Sequence, residues 1–95
     1  MKIIPSEQFL AQLNSILEFY FDKSEQVANK FRDELSLKIK NIAHMPYRFR
    51  KNQTLNKDNV RDLIYKGYVI PFEINDDTIV VLSIYRCNLP NLLDN

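Results

Sequence analysis

The chain has 95 residues, 45% hydrophobic and 26% charged, with a formal net charge of +1. That composition suits one folded globular domain and excludes a disordered or fibrous chain. A chain this short buries only about two-thirds of its unfolded surface, which leaves little room for an enclosed cofactor, and no cofactor is expected. Cys87 and His44 are the lone cysteine and histidine, so an internal disulfide and a multidentate soft-metal site are both excluded.

Met1 to Ile4 reads as a short optional strand, too little apolar for a signal peptide, and no apolar run approaches membrane-spanning length. The expectation is a cytoplasmic protein without a membrane partner. Ser6 sits at an N-cap position, and Phe9, Leu10, Leu13, Ile16, Leu17, Tyr20 and Phe21 recur at helical spacing, so a first helix is expected from Glu7 to Phe21. Asp22, Lys23 and Ser24 form a polar break. Val27, Phe31, Leu35, Ile39 and Ile42 then mark a second helix that Ser24 caps and that ends before Pro46. So short a break folds the helices into a hairpin whose apolar stripes need a cover.

The rest of the chain supplies it. Tyr47 to Arg50 reads as a short edge strand and Lys51 to Asn59 as a polar loop. Val60 to Tyr65 and Tyr68 to Ile74 form a hairpin around Lys66 and Gly67, the one glycine, placed where a positive φ is needed. Asn75 to Asp77 makes a turn into a third strand, Thr78 to Tyr85, whose apolar run suggests a central position. The expected fold class is α+β: a helical hairpin at about 6–45 packed on a three- to four-stranded antiparallel sheet at about 47–86, with a tail at 87–95, all in one domain. Leu89, Leu92 and Leu93 give that tail a means of docking, and a loose tail is equally compatible with the sequence.

Little points to catalysis. One glycine rules out a glycine-rich phosphate loop. His44 falls at a helix C-terminus, where it complements the dipole, Asp76 and Asp77 stabilise their own turn, and Cys87 at a strand end reads as structural. Charge placement is more informative. Residues 1–43 balance, residues 44–68 carry Arg48, Arg50, Lys51, Lys57, Arg61 and Lys66 against Asp58 and Asp62, and the chain then turns acidic. In an extended segment Arg48 and Arg50 share a face, and with Arg61 and Arg86, beside Tyr85, the sheet is expected to gather four guanidiniums near one rim. Guanidiniums pair bidentately with phosphate and tyrosine stacks on bases. The same arginines also serve simply to keep a small sheet soluble; both readings stand at this level.

The order helix, helix, arginine-bearing strand, hairpin, strand resembles toxins of the RelE/ParE superfamily of bacterial type II toxin–antitoxin modules. The stretches that carry the likeness are Val60-Arg61-Asp62-Leu63, Gly67 to Ile74, and Asp77 to Arg86. RelE-like members cut messenger RNA on the ribosome. The resemblance would assign Arg61, Tyr85 and Arg86 to that reaction, but the arginine those enzymes carry after the glycine-tyrosine pair is Val69 here, and a second basic position falls near Cys87. ParE-like members poison DNA gyrase without such a set, and the long helical hairpin and Tyr68 to Phe72 look more like them. The resemblance therefore implies a cytoplasmic, growth-inhibiting, non-enzymatic toxin with Arg48, Arg50, Lys51, Arg61 and Arg86 as a target-binding basic surface. It also implies a cognate antitoxin that covers leftover apolar residues such as Leu37, Ile64 and Leu89. The alternatives are a RelE-like endoribonuclease acting with ribosome and mRNA, and a toxin-fold binding protein that has lost activity.

Overall fold

The computed structural model describes residues 1–86. Cys87, Leu89, Leu92, Leu93 and the choice between a docked and a loose tail lie outside the described residues. Strand β1 (Lys2–Pro5) leads into helices α1 (Glu7–Lys23) and α2 (Glu25–Ile42), then a 3-10 turn (Pro46–Arg48). Strands β2 (Arg50–Lys51), β3 (Val60–Tyr65), β4 (Tyr68–Ile74), β5 (Thr78–Val81) and β6 (Tyr85–Arg86) follow. Two helices on a sheet are as expected, whereas the sheet is larger and mixed. Its order is β1-β5-β4-β3-β2, with β6 pairing β4, and β1 runs parallel to β5 while the other pairings are antiparallel.

Ser24 alone separates the helices. Its backbone N–H donates to the Tyr20 carbonyl at 2.8 Å and its hydroxyl accepts from the Val27 amide at 3.3 Å, so one extended residue terminates α1 and caps α2. Asp22 and Lys23, expected in the break, stay helical because Ser24 serves both ends. Ser6 caps α1 by accepting from the Phe9 amide at 3.0 Å.

α2 carries the deeper stripe, burying Ala28, Phe31, Leu35 and Ile42, whereas Phe9 is the one fully buried residue of α1. Phe9, Phe31, Leu35 and Ile42 meet Leu63, Tyr65, Tyr68, Ile70, Phe72 and Ile74 from one face of the β3–β4 hairpin and Ile79 and Val81 from β5. Phe31 is the hub of an aromatic cluster, its ring centroid 5.0 Å from Tyr20, 5.3 Å from Tyr65 and 5.5 Å from Tyr68. Such contacts add about 0.5–1.5 kcal/mol each beyond area burial.

The β3–β4 turn has positive φ at both Lys66 (48°) and Gly67 (83°), the combination that a two-residue type I′ turn requires. An added Cβ at Gly67 would meet nothing within 4 Å, so the need for glycine there is conformational and not steric.

Two expectations for the sheet change. Tyr47 and Arg48 lie in the 3-10 turn begun by Pro46, so the edge strand is displaced to Arg50–Lys51. The long third strand is broken at Leu82–Ile84, and Pro71 explains why. In the β4–β5 register Leu82 falls opposite Pro71; its N–H reaches the Pro71 carbonyl at 2.9 Å, but proline has no N–H to return. The orphaned Leu82 carbonyl accepts from the Ser6 hydroxyl at 2.8 Å, and the Ile84 N–H turns to the Gln12 Oε1 at 2.9 Å. Pairing resumes at Val69↔Tyr85 and Tyr68↔Arg86, displaced by one residue from the Phe72↔Val81 register. This is a β-bulge pinned by helix α1. Among the described residues no helix is long and apolar enough to cross a membrane.

Candidate functional site

The four guanidiniums expected on one rim are not gathered. Arg61 lies opposite Phe72 and Arg86 opposite Tyr68, which separates them by roughly 14 Å along β4 and by two strand spacings across it. The bulge also decides direction. It places Arg86 on the helix-facing side, its guanidinium 5.2 Å from the centre of the Tyr68 ring, and turns Tyr85, opposite Val69, to the other face. Burial, then the Tyr20 phenol, pushes the Tyr68 hydroxyl up from its ordinary pKa, and the Tyr68 side chain in turn holds the Arg86 guanidinium higher still.

Arg61 is occupied inside the fold. Its Nε donates to the Asp58 carbonyl at 2.9 Å, Nη2 meets the Asp58 carboxylate at 2.9 Å, and Nη1 donates to the carbonyls of Phe49 at 3.1 Å and Tyr47 at 3.3 Å. The guanidinium also stacks 5.0 Å from the Tyr47 ring, and the side chain is 15% exposed. Arg61 therefore clamps the 3-10 turn to the sheet. On the opposite face Asp62, buried, accepts from Arg50 Nε at 3.2 Å and from Asn52 Nδ2 at 2.8 Å, while Asn52 Oδ1 takes the Leu55 amide at 2.8 Å. Two consecutive residues of β3 thus hold the segment 47–55 from both sides.

The remaining basic residues are presented outward. Arg48, Arg50, Lys51 and Lys57 are all exposed. Arg50 keeps a side chain 55% exposed despite its ion pair, and Arg48 lies 4.7 Å from the Phe49 ring. Arg48, Arg50 and Lys51 therefore share the β2 edge, which Arg61 supports from within and from which Arg86 is remote.

Catalysis by Arg61, Tyr85 and Arg86 would need all three around one phosphate. They lie on different faces and at different ends of the hairpin. Val69 is 2% exposed, so the position of the missing arginine is filled by core. Tyr85 instead lines a cleft of about 370 Å³ with Asn52, Thr54, Leu55, Pro71 and Ser83.

Leu37 and Ile64 are exposed at 62% and 45%. Ile64 belongs to a part of β3 that β2, ending its pairing at Asp62, leaves uncovered. Near it Tyr65 donates to Glu34 Oε1 at 2.6 Å, and Lys66 Nζ lies 3.3 Å from the same oxygen. The Tyr65 hydrogen bond holds the Glu34 carboxyl below its usual pKa, while burial and Glu34 push the Tyr65 phenol far up.

A further apolar feature has no motif in the sequence. Where β1, α1 and α2 meet, Ile3, Pro5, Phe9, Leu10, Leu13, Leu35, Ile39 and Val81 line a groove of about 330 Å³, with Arg32 and Lys40 at its rim. Leu10, apolar yet 48% exposed, was the available signal. The groove lies where the sheet ends: β1 is the outermost strand on this side, and among the described residues no strand lies beyond it to cover the helices.

The comparisons agree with this architecture. The model of the ParE toxin of the type II toxin–antitoxin system, parDE, matches residues 3–87. A solved structure of the chromosomal ParDE TA system from P. aeruginosa superposes with a TM-score of 0.75 at 19% identity, covering 93% of this chain and 97% of that one. No curated protein matches the sequence. A match over nearly the whole length, on a fold with the same helical hairpin and sheet, places this chain in the ParE toxin family of type II toxin–antitoxin systems.

Proposed function

We propose that this chain is a growth-arresting toxin that acts without catalysis, by binding DNA gyrase and trapping it on DNA, and that a cognate antitoxin neutralises it in the cytoplasm. The observation that carries the non-catalytic reading is the divergence of Arg61, Tyr85 and Arg86. Stabilising a pentavalent phosphate needs cations fixed at one point, and here Arg61 is taken up by acceptors of its own fold while Tyr85 and Arg86 point to opposite faces. The likeness to the ParDE system supports an antitoxin partner.

The groove between β1 and the helices suits that partner, because an apolar floor with Arg32 and Lys40 at the rim is complementary to a segment that alternates apolar and acidic residues. Leu37 lies on the same helix α2, whereas Ile64, on the β3 face away from the helices and three strands from β1, would be covered by a separate contact.

Inducing the protein in growing cells and following DNA-damage signalling beside protein synthesis tests the reading. Damage signalling is expected first. Translation stopping first with supercoiling untouched would favour the ribonuclease alternative, and absence of any arrest would favour an inactive binding protein.

A further inference from the structure

We propose that the β2 edge is a docking strip for the phosphate backbone of duplex DNA. This rests on the gyrase reading and adds that one edge of the protein touches the nucleic acid held by the enzyme, not the enzyme itself.

The strip is defined by charge. Residues 44–57 contain Arg48, Arg50, Lys51 and Lys57 and no carboxylate, on a chain whose net charge is only +1. The remainder of the molecule is thus net acidic, and positive potential collects at one end of the sheet. Arg48, Lys51 and Lys57 have no carboxylate within ion-pair distance among the described residues, and Arg50 spends one nitrogen on Asp62.

Geometry favours an extended polyanion over a small anion. Arg50 pairs with Asp62 on the face away from the helices and Lys51 with Arg61 on the face toward them, so the two cations straddle the edge. From Arg48 to Lys51 the backbone advances roughly 10 Å, a line of charge that matches successive phosphates along a strand. β2 has no strand beyond it among the described residues, which leaves the edge open to a large partner.

The backbone that carries these cations is fixed in advance. Arg61 holds the Tyr47 and Phe49 carbonyls, and Asp62 holds Asn52. Docking then orders side chains but not main chain, which lowers the entropic cost of binding. Apolar side chains also flank the strip, Met45 and Tyr47 lining a hollow of about 430 Å³ with Pro46 and Arg48, so the cations without a partner carboxylate are what argue for a polyanion, and an acidic protein segment is the alternative that the test separates.

The test is fluorescence anisotropy of the purified full chain with a labelled duplex of about 20 base pairs over a range of potassium chloride. Wild type is expected to bind with a slope of log affinity against log salt of about −3, as for three or four phosphates. An Arg48→Gln/Lys51→Gln/Lys57→Gln variant, checked by its thermal melt, should lose affinity roughly tenfold or more at low salt and flatten the slope. No binding by wild type, or equal binding by a folded triple variant, overturns the proposal. So does a triple variant that keeps duplex binding but no longer captures the antitoxin, which would assign the strip to an acidic protein. Capture of DNA-free gyrase on immobilised protein is read separately. Equal capture by wild type and variant is expected; capture by neither would sink the gyrase reading while the duplex titration still decides the strip.

Discussion

The two edges of the sheet are built in opposite ways. At the β1 edge the backbone does the holding: four residues pair in parallel with β5, the ladder continues through the Ser6 amide to the Val81 carbonyl at 2.9 Å, and the side chains are left to line an apolar groove. At the β2 edge two residues pair, the ladder continues through the Asn52 amide to the Val60 carbonyl at 2.9 Å, and side chains from β3 add to the holding, Arg61 on one face and Asp62 on the other. An edge secured by its ladder can spend side chains on apolar contact. A short edge pinned from beneath can display cations without a compensating carboxylate on its own segment. One small sheet thus ends in two chemically different surfaces, one apolar and one cationic.

The comparison breaks most visibly in the shared core. Leu35, 1% exposed, floors the groove and packs against the sheet; Leu35→Ala should cost about 2–5 kcal/mol in urea unfolding and weaken both edges together. Next, Asp62→Ala should cost about 2–3 kcal/mol, because Asn52 Nδ2 is left buried without an acceptor. Hydrogen exchange should then accelerate at 50–55 and stay unchanged at β1; acceleration at both edges would refute separate fastening. Arg61→Ala should cost about 2 kcal/mol through the loss of its carbonyl and Asp58 bonds, with faster exchange at 47–52.

The smallest effect concerns acid. Glu34 is lowered in the fold chiefly by the Tyr65 hydrogen bond, so its contribution to stability is present above the ordinary carboxyl value of 4.5 and is lost as pH falls through the lowered value. Glu34→Gln should flatten the acid limb of stability below that point and leave both edges alone; an unchanged acid limb would mean the pair contributes nothing.

Local signals carried much of this fold into the sequence. Ser6 and Ser24 as caps, the 3.6-residue stripes, and Lys66-Gly67 as a turn all act on neighbours within four residues, and each appears where the pattern put it. The parallel pairing of Lys2 with Thr78 has no local code, since its partner lies far along the chain. Pro71 was visible, but its consequence falls across the sheet at Leu82, where the missing N–H starts the bulge that re-aims Tyr85 and Arg86. Of the candidate site, the basic character of 48–57 was legible as charge. That Arg61 is turned inward was not, because its acceptors include backbone carbonyls, which every residue owns. The groove was hidden for a related reason: Leu10, Leu13 and Ile39 read as core, and it is the place of β1 as the outermost strand that leaves them uncovered.

The proposed division between a DNA-facing β2 edge and an antitoxin-facing groove meets its most direct test in gyrase-mediated cleavage of supercoiled plasmid by purified protein. Wild type is expected to accumulate linear, protein-linked DNA, with the signal abolished by antitoxin and strongly reduced by Arg48→Gln/Lys51→Gln/Lys57→Gln. A triple variant that folds, escapes the antitoxin no more than wild type, and still yields wild-type levels of cleaved DNA would contradict it.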